Sequence, residues 1–171
     1  MFNPKCDSAM NKIFVYILML ILIFSSFPAK AQDIKYIKIP ELETILKNPE
    51  NKLFVINFWA TWCAPCVKEF PLFEKVSKDY SPAKVEFVMI SLDFPSQVEK
   101  QLKPFLEKNK VSLRVVLMND LDYNSWIDKV DKSWQGGIPA TLVFNNVKKS
   151  RQFHTGEVNE EDLREMINAN L

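Results

Sequence analysis

The chain has 171 residues, of which 47% are hydrophobic and 25% charged, and its formal net charge is +1. This length suits one globular domain with an accessory segment. The near balance of 22 basic and 21 acidic residues gives no electrostatic reason to expect nucleic acid or an anionic membrane surface as a partner.

The N-terminal segment has the pattern of a secretory signal peptide. An uncharged apolar run from Ile13 to Phe24 follows two lysines, and Ala29-Lys30-Ala31 fits the small-x-small pattern that precedes cleavage. We therefore expect residues 1–31 to be removed before Gln32 and the protein to be exported. An uncleaved membrane anchor remains the alternative, although the apolar run is shorter than the roughly 20 residues that span a bilayer.

Cysteine usage is the next observation. Of the three cysteines, Cys6 precedes the apolar run, so the exported chain would retain only Cys63 and Cys66. An exported protein that keeps two cysteines in one motif uses them for redox chemistry rather than as scattered cross-links.

The first half of the exported chain predicts three elements before the cysteines. Alternating residues from Gln32 to Pro40 indicate a short edge strand or an extended arm. Glu41 to Lys47 is a short helix candidate, and the apolar run that starts at Phe54 indicates a buried strand. The apolar spacing after the cysteines continues to Tyr80, which predicts a helix that is kinked, not ended, at Pro71.

Cys63 and Cys66 fall where that helix begins. Unpaired backbone N–H groups and the helix dipole favour the thiolate at this point, and the thiolate is the reactive form. Cys63 can attack a disulfide in another molecule, and Cys66 can then resolve the mixed disulfide. A structural disulfide and half of a metal site are the alternatives, but zinc needs about four ligands and only one other Cys and one His are present.

The second half of the chain alternates strand and helix patterns. The strand from Val85 to Leu92 ends at Asp93, which could transfer a proton to Cys66 but is better suited to cap the next helix. Trp126 and Trp134 predict core packing, with the border of a substrate groove as the alternative reading. His154 has no Ser, Cys or metal partner in the pattern and is interpreted as a surface residue on an edge strand. The remaining elements are a helical face through Val98, Leu102, Phe105 and Leu106, threatened by a break at Pro104, strands at Leu113–Met118, Thr141–Phe144 and Ser150–His154, and a last helix capped by Asn159.

Two motifs resemble those of thioredoxin-like proteins, most closely the exported TlpA-like branch. They are Trp59-Ala60-Thr61-Trp62-Cys63-Ala64-Pro65-Cys66 and, far downstream, Gly137-Ile138-Pro139-Ala140-Thr141, which resembles the cis-proline loop of that family. The resemblance covers the chain from Ile39 to its end. It implies an α/β thioredoxin fold in residues 32–171, with a central mixed sheet flanked by helices on both faces. An N-terminal extension and an insertion before the cis-proline loop are added to that fold.

The resemblance also implies an exported, periplasmic thiol-disulfide oxidoreductase that acts on protein thiols and disulfides. Cys63 would be the nucleophile and Cys66 the resolving thiol. Ile138 and Pro139 would bind the substrate, Trp59 and Trp62 would form the apolar shoulder of the site, and no metal or organic cofactor is expected. Electrons would come from a membrane electron-donor protein, because the chain lacks a flavin or nucleotide fingerprint. A reductant is the preferred direction.

Asn57 departs from the cytosolic thioredoxins, which resemble this chain elsewhere but carry a buried acidic residue at that position. The proton acceptor for Cys66 must therefore be another group. A redox-inactive binding or chaperone module with a structural disulfide remains the alternative function. Copper binding is disfavoured because only two residues separate the cysteines, and a peroxidase is disfavoured because the Trp-Cys-Ala-Pro-Cys setting is that of a disulfide exchanger.

Overall fold

A six-stranded mixed sheet organises residues 33–171, the part of the chain that the computed structural model describes. The predicted signal peptide, Cys6 and the cleavage point before Gln32 lie outside these residues. Between residues 33 and 171, no helix is long and apolar enough to cross a membrane.

The elements follow one another in an alternating order that is typical of α/β proteins. They are β1 (Lys35–Ile37), α1 (Ile39–Leu46), β2 (Leu53–Trp59), α2 (Ala64–Ser77), β3 (Val85–Ser91), a 3₁₀ turn (Pro95–Gln97), a π-helical turn (Val98–Leu102), α3 (Lys103–Lys108), β4 (Arg114–Met118), a second 3₁₀ turn (Tyr123–Ser125), α4 (Ile127–Val130), β5 (Ala140–Asn145), β6 (Ser150–Thr155) and α5 (Glu160–Asn170).

The strand order is β1-β4-β3-β2-β5-β6. The first four strands run parallel, whereas β5 pairs antiparallel with both β2 and β6. All seven residues of β2 are buried, because β2 lies between two strands and is covered on both faces. The mixed thioredoxin-like sheet predicted from the sequence is confirmed, and β1 is the predicted edge strand.

Two apolar clusters cover the two faces of the sheet. On one face, α2, α3 and α5 pack on Val55, Met89 and Val143. On the other face, α1 and α4 pack on the alternate residues of the same strands, such as Ile56 and Leu142. The alternation follows from the two-residue period of a strand, which sends neighbouring side chains to opposite faces.

Prolines affect the helices differently from what their positions alone suggest. Helix α2 continues through Pro71 to Ser77, as predicted. The predicted helical face that starts at Val98 is divided into a π-helical turn and α3, and Pro104 lies in the first turn of α3, where its missing N–H has no intrahelical partner to lose.

Candidate active site

Cys63 and Cys66 lie where β2 gives way to α2. Cys63 is the N-cap of the helix, and the two sulfurs form a disulfide with an S–S distance of 1.99 Å. The backbone N–H of Cys66 points at Sγ of Cys63, with 3.3 Å between nitrogen and sulfur. Because this donor and the helix dipole both favour negative charge on Sγ, the reduced protein would carry its more reactive thiolate on Cys63.

The loop before β5 faces this disulfide. The peptide bond between Ile138 and Pro139 is cis, and the Ile138 carbonyl oxygen lies 3.8 Å from Sγ of Cys63. Two hydrogen bonds hold the loop in place: Nε1–H of Trp134 donates to the Gly137 carbonyl, and the N–H of Gly156 donates to the Pro139 carbonyl, both at 2.8 Å.

Sheet topology explains why these distant segments meet. The parallel strands β2 and β3 end at the same edge of the sheet, so the cysteines and Asp93 lie there together. Strand β5 runs antiparallel to β2, so it begins at that edge, directly after Pro139. The structure thus brings Cys63, Cys66, Ile138 and Pro139 to one place.

The tryptophans occupy three different environments. Trp62 is 54% exposed beside Cys63, which suits the predicted contact with a substrate. Trp59 is fully buried against Phe70 and Phe105, so the expectation that it forms part of the site surface is wrong. The reason is that Trp59 is the last residue of the buried strand β2, and its side chain points into the core.

Trp126 and Trp134 are buried as well, and both contact the ring of Phe58. The core-packing prediction is therefore confirmed, and the groove-border reading of these two residues is wrong. Trp134 still reaches the site indirectly, through its hydrogen bond to Gly137.

Asp93 is fully buried, and its carboxylate is occupied by local donors. It accepts hydrogen bonds from the Thr61 hydroxyl at 2.5 Å, from the Thr61 N–H at 3.1 Å and from the Ser91 hydroxyl at 2.7 Å. The following 3₁₀ turn has Phe94 as its N-cap, so the predicted capping role is wrong. The carboxylate instead ties the end of β3 to the loop that carries Trp62 and Cys63.

Glu69 is the residue that sequence reasoning missed. It lies one turn after Cys66 on α2 and is only 5% exposed. Its carboxyl accepts hydrogen bonds of 2.9 Å from Nδ2 of Asn57 and from the N–H of Val158. Burial raises the pKa of Glu69 to about 7, and the Glu157 charge raises it further, although the two hydrogen bonds act in the opposite direction.

A signal for Glu69 was available in the sequence. It stands three residues after Cys66, next to Phe70, on the face of the helix that the apolar spacing turns inward. Asn57 completes the arrangement, because its amide links Glu69 to the Thr141 hydroxyl at 3.2 Å. The buried acid that this chain lacks on β2 is thus supplied by α2.

These groups make a redox site with an acid-base group behind it. The disulfide provides the reacting sulfurs, and Glu69 has a pKa at which it can hold or release a proton near neutral pH. Across residues 33–171, no group of three or more His, Cys, Asp or Glu side chains is arranged to hold a metal ion.

The chain matches known proteins over most of its length. The AhpC/TSA family model matches residues 24–151. Thioredoxin-like protein YneN of Bacillus subtilis is 24% identical over 125 residues, which is 71% of this chain and 67% of that protein. Thiol-disulfide oxidoreductase ResA of Halalkalibacterium halodurans is 26% identical over 122 residues, which is 71% of this chain and 64% of that protein. The chain thus spans about two thirds of the length of these curated relatives.

A solved structure agrees with the fold. The thioredoxin-related protein from Neisseria meningitidis serogroup B superimposes with a TM-score of 0.62 at 29% identity. The match covers 72% of this chain and 88% of that one.

Proposed function

The chain belongs to the AhpC/TSA family and has a thioredoxin-like fold, and from this premise we propose that it is a thiol-disulfide oxidoreductase that acts on other proteins. One observation carries the proposal: the Cys63–Cys66 disulfide lies at a helix N-terminus, with the Ile138 carbonyl 3.8 Å from Sγ of Cys63. The name of the ResA relative supports the same reaction class.

The reaction begins when the Cys63 thiolate attacks one sulfur of a substrate disulfide. A bond forms between Sγ of Cys63 and that sulfur, and the other substrate sulfur leaves as a thiolate. Cys66 then attacks Sγ of Cys63, so that the first substrate sulfur also leaves as a thiolate. The substrate gains two electrons, and the protein is left with the Cys63–Cys66 disulfide. The order fits the exposure of the two residues, because Cys66 is the more deeply buried.

Cys66 must lose a proton before it can attack, and we assign that proton to Glu69. Burial gives Glu69 a pKa of about 7, so the carboxylate can accept a proton from a thiol at neutral pH. Asp93 was the sequence-based candidate for this step. Its oxygens already accept hydrogen bonds from Thr61 and Ser91, so we give it a positioning role in the loop before Cys63.

Substrate binding is assigned to Trp62, Ile138 and Pro139. Trp62 offers an exposed apolar face beside Cys63, and the loop of Ile138 and Pro139 lies against the same sulfur. An extended substrate segment would pair with the backbone of Ile138, in the manner of a strand added to an edge.

Export, direction and electron donor rest on the sequence. The apolar run and the Ala29-Lys30-Ala31 pattern support a signal peptide over residues 1–31, with an uncleaved anchor as the alternative. Residues 32–171 would then act in the periplasm or another exported compartment. The resemblance to reducing relatives supports a reductant, which a membrane electron-donor protein would have to reduce again. The alternative is a binding or chaperone module whose disulfide is structural.

The test is the equilibrium reduction potential of the protein, followed by tryptophan fluorescence in graded thiol buffers. A value near that of thioredoxin, about −270 mV, supports a reductant, whereas a value near about −120 mV would make the protein a disulfide donor. A potential below about −300 mV without turnover would identify a structural disulfide and refute the proposal. Cys63→Ser should abolish exchange, and Cys66→Ser should accumulate the mixed disulfide with a protein substrate.

A further inference from the structure

A cavity of about 380 Å³ opens directly beside the redox disulfide. Leu92, Ile127 and Ile138 line it together with more exposed residues at its rim, and none of its nine lining residues is charged. Its volume lies at the small end of the range for small-molecule sites, roughly 300–1,000 Å³. The cavity therefore suits one bulky side chain better than an organic cofactor.

The rim of this cavity exposes aromatic surface to solvent. Trp62 is 54% exposed and Phe94 is 47% exposed, and Tyr123 stands between the solvent and the interior. Exposed apolar side chains that gather around a concave surface mark sites of interaction with other molecules. The nearest buried charge, Asp93, does not line the cavity, and its carboxylate is occupied by Thr61 and Ser91.

The position of the cavity identifies what would fill it. Ile138 both lines the cavity and places its carbonyl oxygen 3.8 Å from Sγ of Cys63. A polypeptide that offers its disulfide to Cys63 must therefore pass the mouth of the cavity. In an extended segment, side chains alternate in direction with a rise of roughly 3.3 Å per residue. The residue two positions from the substrate cysteine thus points toward the protein on the same side as that cysteine.

We propose that this cavity is a specificity pocket for a large apolar side chain, aromatic or aliphatic, two residues away from the reacting cysteine of a substrate polypeptide. The proposal rests on the proposed function, because it assumes that Cys63 exchanges disulfides with proteins. It adds a selection rule: substrates with an apolar residue at that position react faster than substrates with a charged one. The wall formed by Tyr123, Asn124 and Ile127 belongs to the segment between β4 and β5, so that segment supplies the selectivity.

The test uses the reduced full-length protein with Cys6→Ser, so that Cys63 and Cys66 are its only thiols. Short glycine-based peptides carry one cysteine as a mixed disulfide with 2-mercaptoethanol. They bear Phe, Leu, Asp or Arg two residues before or two residues after that cysteine. Hydroxyethyl disulfide, which has no side chain to place in the cavity, measures the exchange reaction by itself. Second-order rate constants come from tryptophan fluorescence in stopped flow.

We expect the Phe and Leu peptides to react about tenfold or more faster than the Asp peptide at one of the two positions, since burial of a large apolar side chain favours binding by this factor or more. The same residues placed directly next to the cysteine should give nearly equal rates, because they point away from the protein. Equal rates at both second positions, with normal reaction of hydroxyethyl disulfide, would overturn the pocket and leave the proposed function intact. No reaction with hydroxyethyl disulfide would overturn the proposed function itself.

Three variants sharpen the result, each read as the ratio of the Phe to the Asp rate constant. Phe94→Ala should bring the ratio close to one by removing a wall of the cavity. Asn124→Asp has nearly the same shape and adds one negative charge, so it should favour the Arg peptide severalfold. Leu121→Ala is the matched control, because Leu121 is equally exposed on the same segment but does not line the cavity, and its ratio should not change.

Other occupants predict different outcomes. If the Arg peptide is the fastest with the unmodified cavity, the occupant is cationic and the proposal is wrong. If the protein forms a dimer in sedimentation and Phe94→Ala separates it, a second copy of the chain covers the cavity, which also overturns the proposal.

Discussion

Glu69→Gln tests the buried carboxyl behind the cysteines. The substitution keeps the size of the side chain and removes its ability to ionise. The new amide can accept the N–H of Val158, and Asn57 can turn its amide so that its oxygen faces the new NH₂ group. The Thr141 hydroxyl, now 3.2 Å from Nδ2 of Asn57, can donate to that oxygen after the turn. The hydrogen-bond network therefore remains satisfied, and ionisation is the property that changes.

The expected effect on the free energy of unfolding depends on pH. The Glu69 pKa is about 7 in the folded protein, against an ordinary value of 4.5. Below about pH 4.5 the carboxyl is protonated in both states and contributes no pH dependence. Between about pH 4.5 and 7 the unfolded chain loses the proton more readily, so stability falls, and above pH 7 the loss levels off. This rise in pKa corresponds to a loss on the order of 3 kcal/mol.

The assay is urea unfolding of the oxidised protein between pH 4.5 and 8.5, followed by circular dichroism. Glu69→Gln should match the parent near pH 4.5 and exceed its free energy of unfolding by roughly 3 kcal/mol at pH 8. Glu161→Gln, on the exposed face of α5, makes the same change in net charge and should leave the pH dependence of the parent in place. Identical pH profiles for the parent and Glu69→Gln, or a loss of stability in Glu69→Gln at every pH, would refute the assignment of a raised pKa.

Three further substitutions test the framework around the site. Asp93→Ala leaves the Thr61 N–H and two hydroxyls without their acceptor and should lower the free energy of unfolding by about 2–4 kcal/mol, more than Asp93→Asn does; equal urea midpoints for both variants would contradict this role. Trp134→Phe keeps an aromatic ring but removes the donor to Gly137, so it should lose about 1 kcal/mol and slow exchange with peptide disulfides; an unchanged exchange rate would show that the loop is held without it. Asn159→Ala removes the cap on the N–H of Asp162 and should cost about 1 kcal/mol in urea unfolding, with no change in exchange rate.

Local sequence signals were sufficient for most of the secondary structure. The continuous apolar run before Cys63 predicted a buried strand, and β2 is buried at every position. The spacing after Cys66 predicted a helix through Pro71, and α2 continues past it. These predictions succeed because periodicity and helix-start chemistry act between residues that are close in sequence.

The surroundings of the site could be predicted only in part. Trp59 and Trp62 are three residues apart in one motif, yet one is buried in the core and the other is exposed at the site. Asp93 was correctly placed at the sheet edge that holds the cysteines, but its partners were not, because Thr61 is 32 residues away in the chain. Only the packed structure determines which side of a motif is covered and which donors surround a carboxylate.

The sequence by itself determined the pair of cysteines at a helix start, the strand that leads to it and the proline loop far downstream. The tertiary structure alone decided how the acid behind Cys66 is supplied. Asn57 on β2, Glu69 on α2 and the N–H of Val158 before α5 meet only when α2 and α5 pack on the same face of the sheet. The raised pKa of Glu69 arises from that packing, because desolvation is a property of the assembled core and not of any segment of the chain.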